Sequence, residues 1–156
     1  VPYGTEALGV MRIEKGHAAG NELNGNTSAL NLGMGRMVSK KKDSIGSVLS
    51  EREGLNAQDT LKLVGFVPVK TDDPVPAGAH LMNTGGPVDA RHDQGYITSA
   101  CFSPNLNCHI GIGFLKAGDT RIGEVVRLVS PLTGQDHNVK VVSAHFVDPE
   151  GERLRA

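Results

Sequence analysis

From Asp59 onward the sequence is a succession of short, β-rich runs: TLKLVGFVPV, AHLMN, GYITSACF, CHIGIGFL, GEVVRLVS and NVKVVSAHFV. Turn-like stretches separate them: DDPVPAG, NTGGPVDARHDQG, SPNLN, KAGDTRIG and PLTGQDH. Strands this short cannot be stable alone and must pair with one another around a shared interior. Their number and spacing predict an all-β barrel or sandwich. A boundary falls near residues 54–59, where the texture changes.

The first 54 residues read differently. Thr5 is placed to cap a helix, and Ala7, Leu8, Val10, Met11 and the offset Ile13 recur near helical spacing. Gly16 suits the C-cap. The spacing predicts a helix over 5–15 with its charges in water. The following GHAAGNELNGNTSA has loop composition. LNLGMGRMV holds too many glycines for a helix and is expected to turn into a strand. Asp43 is placed to cap a short helix over SIGSVLSERE, ended by Gly54.

With 156 residues the chain is long enough for one compact unit or two small ones. Aromatics are only 4%, so the core must be built from Val, Leu, Ile and Met. A net charge of -1 gives no footing for a nucleic-acid or membrane partner. No apolar run approaches the ~20 residues of a membrane span. Cys101 and Cys108 are expected to be free thiols in a reducing cytoplasm. The chain opens VPYGTEAL, without an initiator Met, and reads as a piece of something longer.

Several residues could carry chemistry. A carboxylate such as Glu14 can accept two parallel hydrogen bonds from a flat N–H/NH2 edge of the kind a pterin presents. The ordinary alternative is a solvated helix glutamate paired with Lys15 or Arg12. Arg12 and Glu14 are two apart and point in different directions on a helix, so they are not expected to be a simple pair. Lys40, Lys41 and Lys42 could attract a carboxylated tail or be a basic surface turn. His92-Asp93 could be a base with its orienter, although no nucleophile is paired with it. His17 could touch a ligand or cap carbonyls. The histidines and cysteines lack metal-ligand spacing, so no zinc site is expected. GMG (33–35) and GIG (111–113) are not dinucleotide fingerprints, so any nucleotide cofactor belongs elsewhere.

The segment ALGVMRIEKGHAAGNELNGNTSALNLGMGRMVSKKKDSIG resembles the late part of a folate-binding aminomethyltransferase domain of the glycine-cleavage T-protein fold. The matching pieces are Arg12-Ile13-Glu14-Lys15-Gly16, Gly20-Asn21-Glu22-Leu23, the Lys40–Lys42 run and Asp43-Ser44-Ile45-Gly46. PAGAHL, GYITSACFSPNLNCHIGIGFL and IGEVVRLV are similar to that family's C-terminal barrel. Within the family, PYGTEALGVMRIEKGHAAGNELNG and HFVDPEGERLR look most like the alpha-subunit branch of heterotetrameric sarcosine oxidases.

The resemblance implies an α+β chain. Residues 1–54 would be the incomplete C-terminal end of the folate-binding domain, and 59–156 a small antiparallel β-barrel. Tetrahydrofolate would bind here and accept a one-carbon unit from sarcosine demethylation, giving 5,10-methylenetetrahydrofolate. Flavin (FAD, FMN) and NAD would be bound elsewhere in a complex with beta, gamma and delta subunits. Glu14 would hold the pterin edge, and Lys41 or Lys42 the glutamate end of folate. The family often has an aromatic residue where Arg36 follows Gly33-Met34-Gly35; Arg36 either alters the pocket wall or serves as a polar contact. The piece alone is expected to be inactive. An aminomethyltransferase of the glycine cleavage system, or a non-catalytic barrel packing on partner subunits, are the alternatives.

Overall fold

The structure, a computed structural model, describes residues 2–39, 41–42 and 44–156. The β-rich runs become strands β1 (Leu61–Pro68), β2 (His80–Met82), β3 (Asp93–Ser103), β4 (Cys108–Lys116), β5 (Val125–Ser130) and β6 (Gln135–Val142). They close into one antiparallel barrel in the order β1-β4-β3-β2-β5-β6, with β6 returning to β1 through Gly65↔Val142 to Pro68↔Val139. The architecture is therefore the barrel rather than the sandwich. Closure removes the free strand edges that a sandwich would have to protect.

The interior is mainly aliphatic, but two of the few aromatics, Phe66 and Phe114, are the largest fully buried side chains, so the core is not built from Val, Leu, Ile and Met alone. Val64, Phe66, Leu81, Ile97, Leu115, Leu128, Val139 and Val141 meet inside the barrel, each almost fully buried. Each such side chain contributes about 1.5–3 kcal/mol by leaving water. A second cluster lies on the outer wall, where Ile110, Ile112, Leu63 and Val67 meet Ile13, Ala144 and Phe146. β4 therefore has both faces covered, which is why CHIGIGFL reads as an almost continuous apolar run. A Cβ at Gly111 would stand 2.7 Å from Val75 and 3.2 Å from Ile97, so position 111 faces the interior while 110 and 112 face out.

A bulge in β3 sets which of its residues face which way. Register shifts between Ile97 and Ser99. Ile97 lies inside the barrel, yet Ala100 also packs on that interior, and Cys101 packs on the outer cluster. The extra residue reverses the alternation, as a bulge must. Ser99, Cys101 and Ser103 are thereby aligned along the outer wall.

The helix α1 (Thr5–Lys15) has the predicted range, and Gly16 ends it in the left-handed conformation at φ 73°. Its start differs from expectation: Gly4 is the N-cap without a side-chain bond, and Thr5 lies inside the helix. Its orientation differs more. Leu8 and Met11 of the apolar stripe are 52% and 44% exposed, whereas Ile13 and Glu14 are buried. The barrel wall offers hydroxyl donors beside its isoleucines, so Glu14 docks together with the offset Ile13 while Leu8 and Met11 stay outside.

Other expectations in the first 54 residues are also corrected. LNLGMGRMV forms a 3-10 turn at Gly35–Met37 rather than entering a strand. The closed barrel leaves no edge for it. Asn31 instead bridges to β1, its side-chain N–H donating to Leu61 O at 2.6 Å while its carbonyl accepts from Leu63 N–H at 2.7 Å. The helix expected over 44–53 is two short pieces, α2 (Ser47–Ser50) and α3 (Glu53–Asn56), and Gly54 lies within α3. Val48 and Leu49 are exposed, so no tertiary packing lengthens these turns. Asp43, expected to cap that helix, lies outside the described residues. β6 stops at Val142, short of the predicted run to 147, because the chain leaves the sheet to cover α1. There, Phe146 and Val147 N–H both donate to Glu14 O at 2.9 Å. The short helix α4 (Glu152–Arg155) follows.

Gly65 makes that departure possible. A Cβ there would stand 2.5 Å from Ser143 O and 2.6 Å from the Phe146 ring. Gly65→Ala is expected to destabilise the fold by about 1–3 kcal/mol through overpacking, measured by denaturant unfolding.

Candidate functional site

The charged stretch after Arg12 converges on the outer wall of β3. Glu14 is 4% exposed. Its Oε1 accepts from the Ser103 hydroxyl at 2.5 Å, and its Oε2 accepts from Asn105 Nδ2 at 2.7 Å. Ser103 is held in turn, its oxygen accepting Leu106 N–H at 3.1 Å. The end of β3 and the turn after it thus present one donor each to the same carboxylate.

Glu22 forms a second, deeper node. It closes the 3-10 turn Gly20–Glu22 and is fully buried. Its carboxylate accepts from Ser99 Oγ at 2.7 Å, from Ala19 N–H at 2.9 Å and from Arg12 at 3.1 Å. Arg12 also donates to Ser99 Oγ at 2.7 Å. Burial alone would raise the pKa of Glu22. The hydroxyl and amide donors and the Arg12 guanidinium outweigh it and hold the carboxyl below its ordinary 4.5.

Arg12 therefore pairs with Glu22 and not with Glu14, as their angular separation on the helix implied. Lys15 reaches the C-terminal segment, donating to the backbone carbonyl of Asp148 and lying 3.3 Å from its carboxylate. His17 is exposed and is engaged through its backbone, whose N–H donates to Arg12 O at 2.8 Å. Between the two carboxylates lies Cys101, a free thiol. Burial and the nearby Glu14 carboxylate push it up to about 11, against the opposing pull of Arg12. Burial also raises Cys108.

Arg36, Lys41 and Lys42 are exposed. Among the described residues their side chains make no hydrogen bond to the Glu14 cluster. Lys40 lies outside the described residues. His92 and Asp93 do not act on each other: His92 Nδ1 is 2.8 Å from Asp89, and Asp93 is 2.8 Å from His80 Nδ1. Both pairs are exposed, which removes the base-and-orienter reading of His92-Asp93. Two grooves of about 470 and 300 Å³ lie elsewhere, beside Lys62 and Asp119 and beside Lys70 and Arg127.

Sequence reasoning missed Glu22, Ser99, Ser103 and Asn105. A signal for the serines was present, because Ser99, Cys101 and Ser103 alternate with Ala100 and Phe102. That period-two pattern marks one strand face with polar or small residues.

The class of module is thus a closed six-stranded antiparallel barrel whose outer wall receives the preceding helix and turn through buried carboxylates. The sequence pattern of the glycine cleavage T-protein C-terminal barrel domain matches residues 62–148, and the chain belongs to that family. It is 39% identical over 155 residues to sarcosine oxidase subunit alpha of Rhizobium meliloti, covering 99% of this chain and 16% of that protein. The corresponding subunit of Corynebacterium sp. (strain P-1) is 36% identical over 155 residues, covering 97% of this chain and 16% of that protein. Against aminomethyltransferase of Halothermothrix orenii, identity is 33% over 135 residues, covering 83% of this chain and 34% of that protein. The chain therefore spans a small part of each relative's length. Glycine cleavage system aminomethyltransferase T from Bartonella henselae shares the fold, with a TM-score of 0.68, 23% identity, and coverage of 94% of this chain and 39% of that one.

Two outcomes are expected. Because the folded pKa of Glu22 is depressed, its stabilisation is complete above pH 4.5 and drains away as pH falls below it. Thermal melts from pH 7 to pH 3 should show a loss of stability that is smaller in Glu22→Gln. Cys101, with its thiol at about 11, should resist iodoacetamide at pH 7 in the folded protein and react once the chain is unfolded.

Proposed function

We propose that this chain forms the end of a tetrahydrofolate site and the adjoining barrel in a protein that oxidatively demethylates sarcosine. Support comes from the similarity to sarcosine oxidase alpha subunits over 155 residues, which exceeds that to aminomethyltransferases in both identity and length. The observation that carries the site is the fixed carboxylate of Glu14.

The residues fit a folate at two points. A carboxylate has about four lone-pair positions; Ser103 uses one on Oε1 and the exposed Asn105 one on Oε2, so Glu14 has acceptor capacity for a planar N–H edge beside Ser103. Arg36, Lys41 and Lys42 are exposed cations suited to a carboxylated tail. Tetrahydrofolate would supply the nucleophilic amine that captures the one-carbon unit as 5,10-methylenetetrahydrofolate. The contribution of this chain is positioning. Glu14 would orient the pterin plane, its own plane set by Ser103, while the Arg12–Glu22–Ser99 node holds the helix in place. Flavin, NAD and the beta, gamma and delta subunits belong in this reading to other parts of the assembly.

Titration of tetrahydrofolate into the intact protein tests the assignment. Glu14→Gln keeps the size and an acceptor for Ser103 but removes the charge. Affinity should fall roughly 10- to 100-fold, the worth of a charge-assisted hydrogen bond. Unchanged affinity in a folded variant removes Glu14 from the site.

A further inference from the structure

We infer that Asn105 is a displaceable stand-in for the ligand's amino group, occupying the Glu14 oxygen that a bound pterin edge would take. The inference rests on the folate reading above. The two donors to Glu14 differ in kind. Ser103 is fully buried in β3, and its hydroxyl is locked between Glu14 Oε1 and Leu106 N–H. It cannot leave without opening the barrel wall.

Asn105 is exposed, lies in the turn after β3, and reaches Glu14 only through its side chain. Among the described residues that amide makes no other hydrogen bond. Its carboxamide NH2 is a planar nitrogen donor, chemically equivalent to the amino group of an amino-substituted heterocycle. A planar N–H/NH2 edge must address both oxygens of a carboxylate from one side. Oε2 can be released by one side-chain rotation at Asn105, a fast motion for an exposed residue. Glu14 is 4% exposed with Asn105 bonded to Oε2.

The experiment is tetrahydrofolate titration of the intact protein, comparing wild type, Asn105→Ala and Glu14→Gln, with thermal melts to establish folding. Removal of a competing neutral donor should tighten binding in Asn105→Ala by roughly three- to tenfold, while its melting temperature falls slightly or not at all. A purely structural role would lower stability without tightening binding. Unchanged or weakened affinity in Asn105→Ala, with Glu14→Gln still impaired, overturns the stand-in and leaves the folate reading intact. Unchanged affinity in Glu14→Gln overturns that reading itself, and the stand-in with it.

Discussion

Two carboxylates buried against hydroxyls hold the N-terminal segment to the barrel. Glu14 on Ser103 and Glu22 on Ser99 place acceptors from α1 and the following turn against donors spaced four residues apart on β3. A buried polar group without partners is costly, so each half of this seam requires the other. Arg12 adds a cation shared between Glu22 and Ser99. The aliphatic contacts of Ile13 with Ile110 and Ile112 lie beside this polar frame. Once the carboxylates fix the helix rotation, Leu8 and Met11 are turned outward.

That frame depends on the β3 bulge. Without the extra residue between Ile97 and Ser99, the alternation of β3 would run unbroken, and the serines would point into the aliphatic interior. The bulge, the closed barrel and the departure of the chain after Val142 act together. They leave one stretch of outer wall covered by α1 on one side and by Ala144–Phe146 on the other. Glu14 lies at the edge of that covered patch, where a buried serine meets an exposed asparagine. A carboxylate so placed has its plane fixed by two donors of different burial.

The barrel was largely legible. TLKLVGFVPV, AHLMN, CHIGIGFL and GEVVRLVS each contain their strand or nearly so, since period-two patterns and turn residues are local signals, while GYITSACF covers only the middle of β3, which starts at Asp93 within a turn-like stretch. NVKVVSAHFV is displaced: β6 begins at Gln135, inside the turn-like PLTGQDH, and ends at Val142, where leaving the sheet depends on Gly65 admitting Phe146 from a distant part of the chain. The helix range was legible from Gly16 and the apolar spacing. Its buried face was not, because the spacing of Leu8 and Met11 says nothing about donors 89 residues away at Ser103. His92-Asp93 failed for a related reason: adjacency in sequence put the two side chains on different partners, Asp89 and His80.

The sequence by itself determined a chain of paired strands with an aliphatic core, a helix ended by Gly16, and membership of a family that its motifs already resembled. The strands, the mainly aliphatic core and the helix end follow from local periodicity, turn chemistry and the low aromatic content, whereas the family rests on its motifs alone. Only the tertiary structure decided that the strands close on themselves, that a bulge turns Ser99 and Ser103 outward, and that Glu14 and Glu22 dock there with Ile13 while Leu8 and Met11 do not. Those choices depend on long-range pairing and on the need of every buried carboxylate for a donor, which no stretch of sequence carries alone.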